Sequence, residues 1–74
     1  MEIKFNNEFE YERKRILKNH IGKNIIVNDR NNKNHKGILK GFFNGHYKQL
    51  ILQQNKQDLY IKLFGIDEVI VLEK

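Results

Sequence analysis

The chain has 74 residues, a formal net charge of +5 and no cysteine. That length supports one domain, here residues 1–74, and neither a disulfide nor a thiolate metal site can reinforce it. Ser, Thr, Ala, Pro and Trp are also absent, which removes the Ser, Thr and Cys nucleophiles of covalent catalysis.

No apolar run approaches the roughly 18 residues of a membrane span. The opening MEIKFNNEFEYE lacks the basic and apolar regions of a secretory signal. The expectation is a cytoplasmic protein with no membrane partner. Charge is unevenly spread. Between Arg13 and Lys48 lie ten of the fourteen Lys and Arg residues and only one of the nine acids, Asp29. A segment so basic suggests an anionic partner, with nucleic acid first among them. A solvated, lysine-rich face is the bland alternative.

Residues 1–7 read as a short lead in which Ile3 and Phe5 alternate and Phe5 packs back on a helix. Asn7 is a good N-cap, and Glu10 stands at the capping-box position. The helix is expected over about residues 8–21, ending at Gly22. Its acids cluster early and Arg13, Lys14, Arg15 and Lys18 late, as the helix dipole favours.

Five strands follow, over about residues 23–72. Lys23–Asp29 is the first. His35–Phe43 and His46–Gln54 form a hairpin around Asn44-Gly45, a pair suited to a type I′ turn. Leu59–Phe64 is the fourth and Glu68–Leu72 the fifth. Gly37 and Gly41 inside one arm mark a bulge, a bend or a close backbone approach. The fold class expected is all-β with one N-terminal helix: a five-stranded antiparallel SH3-like barrel. Several strands are apolar on both faces, as in Leu50-Ile51-Leu52 and Ile25-Ile26-Val27. A chain this short buries only about 60% of its unfolded surface, so a homo-oligomer is expected to cover the rest.

Gly37-x-Leu39-x-Gly41-Phe42, Leu50-x-Leu52 and Gly65 before Val69–Val71 resemble the motifs of the Sm-like family (Sm, LSm and Hfq proteins). A fainter similarity runs to Veg-type small bacterial barrels. The Sm-like resemblance implies a small barrel that binds single-stranded RNA, with two loops converging on a pore. It would make Phe43, Tyr47 and Phe64 stacking residues, with His46 beside them. Family members carry Asp, Asn and Arg at positions where this chain has Phe43, Gln49 and Phe64.

From the residues themselves, a cationic groove lined by aromatic faces is how single strands are held without sequence preference. Lys40 and Lys48 flank the hairpin tip, and Arg13, Lys14, Arg15 and Lys18 add positive charge at the helix end. The rival class is a small-barrel module that binds another protein, such as an inhibitor or assembly factor, without nucleic acid. Phe42 is expected in the core. His20, His35 and His46 lack metal-ligand spacing, and Asp67-Glu68 reads as a solvated corner. No catalytic residue, metal or cofactor is expected.

Overall fold

The computed structural model describes residues 1–72. The elements in order are β1 (Glu2–Lys4), α1 (Glu10–Leu17), a 3₁₀ turn (Lys18–His20), β2 (Asn24–Asp29), β3 (Asn34–Asn44), β4 (Lys48–Gln54), β5 (Gln57–Lys62), a second 3₁₀ turn (Leu63–Gly65) and β6 (Ile66–Val71). All pairings are antiparallel and make one six-stranded sheet in the order β1-β6-β2-β3-β4-β5.

This corrects the expected five-stranded barrel and, with it, the Sm-like and SH3-like descriptions. The edge strands β1 and β5 pair with β6 and β4 respectively and not with each other, so the sheet is open. The extra strand comes from the lead. Ile3 pairs with Val69, and Glu2 and Lys4 lie opposite Ile70 and Glu68. Three residues are too few to show a clear period, so pairing with an apolar neighbour strand decides their state.

Side-chain alternation builds the core. Ile25 and Val27 of β2, Leu39 of β3, Leu50 and Leu52 of β4, and Val69 and Val71 of β6 are all buried on one face. Leu17 of α1, Leu63 and Ile66 complete the cluster, and Phe5, Phe42, Leu59 and Ile61 pack against it. Burying each such side chain contributes roughly 1.5–3 kcal/mol.

Helix α1 has eight residues, too short to be stable by itself. It is held by docking Leu17 and Arg13 against β4 and the second 3₁₀ turn. The expected capping box does not form. Phe9 is the N-cap and makes no side-chain capping bond, while the Glu8 carboxylate accepts from the Asn6 N–H at 2.7 Å. That hydrogen bond holds the Glu8 carboxyl below its ordinary range. Gly22, with φ of 94°, turns the chain into β2.

The hairpin glycines divide by role. The β3–β4 register shifts between Leu39 and Gly41, leaving Lys40 as the extra residue of a bulge. At Gly37 a Cβ would stand 2.5 Å from the Gln53 carbonyl oxygen, so glycine is required by close approach. The Asn44-Gly45 turn differs from expectation. Asn44 pairs with Lys48, so the connection has the three residues Gly45, His46 and Tyr47. Gly45 has no positive φ, and its Cβ would meet the Phe43 ring at 2.5 Å.

Candidate interaction surface

The sheet has a second face, turned away from the core. The strand registers place Ile26 beside Ile70 and Lys36, and Gly41 beside Ile51. They set Ile51 opposite Tyr60, Gln49 between Phe43 and Lys62, and Asp58 opposite Gln53. Phe43 is 49% and Tyr60 48% exposed, and their rings meet edge to face at 5.8 Å. Gly41 leaves open space beside Ile51, since nothing lies within 4 Å of a Cβ built there. Ile38 is also exposed. The β3–β4–β5 side of the molecule thus carries an apolar and aromatic surface.

Charge frames it. Lys40 Nζ donates to Asp58 Oδ2 at 2.8 Å, and this bond raises the lysine pKa above its ordinary value. Lys62 Nζ sits 4.3 Å from the Tyr47 ring centroid, a cation–π distance, and Tyr47 meets His46 edge to face at 4.8 Å.

The residues expected to bind nucleic acid divide between the hairpin tip, which the helix touches where Lys14 reaches Asn44 and the Lys48 N–H reaches Glu10, and a buried seam at Arg13. Arg13 is 2% exposed. It donates to the carbonyls of Leu63 (2.7 Å), Ile66 (2.9 Å), Glu8 (2.9 Å) and Asn6 (3.3 Å). Its guanidinium lies 5.0 Å from the Phe5 and 5.6 Å from the Phe64 ring centroid. A buried charge needs this density of partners. Arg13 therefore bolts α1 and the N-terminal segment to the β5–β6 corner, and Phe64 serves that seam.

Arg15 pairs with Glu12, which raises its pKa further. Lys14 Nζ reaches Asn44 Oδ1 at 3.5 Å and lies 5.8 Å from the Phe42 ring. The Lys48 N–H donates to the Glu10 carboxylate at 3.4 Å. Lys18 is exposed. The aromatic contacts occur as two separate pairs, Phe43–Tyr60 and His46–Tyr47. With an open sheet there is no ring pore for two loops to face. The Sm-like RNA-binding reading and the small-barrel module reading both lose their structural basis.

Among the described residues, no group of three or more His, Asp or Glu side chains is placed to hold a metal ion. No helix among them is long and apolar enough to cross a membrane. Comparison with protein-family models, with curated proteins and with solved structures finds no match.

Sequence reasoning did not single out Tyr60, Asp58, Ile51 or Ile38. The signal was available for the first two. The alternation of Asp58-Leu59-Tyr60-Ile61-Lys62 sends Asp58, Tyr60 and Lys62 to one face.

Proposed function

We propose that the chain is a non-enzymatic protein that works as a homo-oligomer, self-associating on the β3–β4–β5 side of the sheet. One observation carries this reading. Phe43, Tyr60 and Ile38 are exposed on the face opposite the core, where the single layer of sheet leaves Ile51 without a second layer above it. Exposed apolar surface of this kind, rimmed by charge, marks association sites. Here the rim is Lys40, Asp58 and Lys62.

The helix covers the other side and is already saturated with contacts through Arg13 and Leu17. Light scattering at micromolar protein should give a mass well above the 8.9 kDa of one chain. Phe43→Ser combined with Ile51→Ser should lower it. A wild-type protein that stays monomeric at every concentration tested overturns the reading.

A further inference from the structure

We propose that two copies join edge to edge through β5, antiparallel, with Tyr60 of each copy on the two-fold axis. This rests on the self-association proposed above and adds to the face contact a second one, along the β5 edge of the same side.

The first argument is the unpaired edge. β5 is terminal in the sheet and pairs only with β4. Among the described residues, no further backbone hydrogen bond reaches residues 57–62. Free N–H and C=O groups along such an edge are a template for another strand. The edge is six residues long and has no proline, and its two charges, Asp58 and Lys62, are of opposite sign.

The second argument is space. An open slot of about 430 Å³ runs along Leu59, Tyr60, Ile61 and Lys62. Asp29, Arg30, Asn31, His35 and Gly65 line it as well. Leu59 and Ile61 are only half-buried, so the core is incompletely covered along this edge.

The third argument selects the occupant. The segment Asp58-Leu59-Tyr60-Ile61-Lys62 is complementary to its own reverse. An antiparallel pairing centred on Tyr60 sets Asp58 opposite Lys62 of the second copy, twice by symmetry. It sets Leu59 opposite Ile61 on the core face, and Tyr60 opposite Tyr60 on the outer face. Residues directly opposite in an antiparallel pair share a face, so all five matches hold at once. An isologous two-fold contact requires this self-complementarity. Asp58 Oδ2 is held by Lys40 within its own chain, which leaves Oδ1 to receive the second copy's lysine. The other edge, β1, offers only three residues and so fewer backbone bonds.

The test uses the full chain, whose lack of cysteine makes an introduced one unambiguous. Opposed Cα atoms in such a pair lie about 4.5–5.5 Å apart, within disulfide range. Tyr60→Cys should therefore oxidise to a covalent dimer, whereas Gln57→Cys, far from its symmetry mate, should not. In parallel, Asp58→Lys and Lys62→Asp should each weaken dimerisation about tenfold by setting like charges opposite each other. The double reversal D58K/K62D should restore it.

A dimer by light scattering in which Tyr60→Cys links no better than Gln57→Cys, or in which the double reversal fails to rescue, overturns the β5 seam and leaves self-association standing. A monomeric wild type overturns both.

Discussion

Two sides of this small sheet solve the same problem in opposite ways. On the helix side, a buried charge is met by hydrogen bonds. Arg13 spans four backbone carbonyls between Phe5 and Phe64, and Leu17 fills the core below it. On the β4–β5 side, the sheet stops with a strand paired on one edge only, half-buried Leu59 and Ile61, and exposed Phe43 and Tyr60. The difference teaches that positive charge in this sequence can serve the fold and not only its surface. Arg13, one of the basic residues expected to meet nucleic acid, is 2% exposed and is used up in holding the fold.

The comparison breaks most visibly at Arg13. Arg13→Ala should cost about 3–5 kcal/mol, because the buried Leu63 and Ile66 carbonyls each lose a charged donor. Chemical denaturation measures it. Arg13→Lys should recover only part, since an ammonium cannot serve four carbonyls from a planar fork. If Arg13→Ala left stability unchanged, the seam would not be what holds the helix.

Next in size is a pair of glycines in the same strand. Gly37→Ala should lose roughly 1–3 kcal/mol, because its Cβ meets the Gln53 backbone. Gly41→Ala faces open space and should leave stability unchanged or raise it by about 0.4–1 kcal/mol. Thermal melts of the two variants measured together would sharpen the distinction between the closed and open parts of β3.

On the open side, Phe43→Ser should cost the monomer only about 0.5–1.5 kcal/mol, the value of an edge-to-face aromatic pair. Its larger effect should be on oligomer mass. A stability loss rivalling that of Arg13→Ala would mean that this surface is part of the fold and not an association site.

The smallest expected effect is on pH. Burial, reinforced by the charge of Lys23, depresses the His20 pKa below its ordinary value, and His20 Nδ1 is buried without a partner. The folded state therefore disfavours the imidazolium. The unfolded state binds the proton more readily, so stability is full above about pH 6.5 and falls as pH drops towards the folded pKa. His20→Gln should flatten stability between about pH 7 and pH 5, as read from denaturation midpoints across that range.

Much of this architecture was legible in the residues. The apolar runs Ile25-Ile26-Val27, Leu50-Ile51-Leu52 and Val69-Ile70-Val71 identify the strands, while being apolar on both faces they leave the inward face open. Gly37 announces a close approach, and Gly22 the end of the helical segment. These are local properties, decided within a few residues by sterics and by where the apolar side chains fall.

Three matters were decided only by the assembled fold. The Glu2–Lys4 segment becomes a strand because β6 offers it an edge, and a partner far along the chain leaves no mark on three residues. Whether a sheet closes depends on what its two last strands meet. Here β1 occupies the free side of β6 and the outer edge of β5 is left open, a global relation that no local pattern carries. Arg13 looks like any other residue of a basic run, yet it is buried. Its fate depends on carbonyls some fifty residues away, at Leu63 and Ile66, and on two aromatic rings that only the folded chain sets on either side of it.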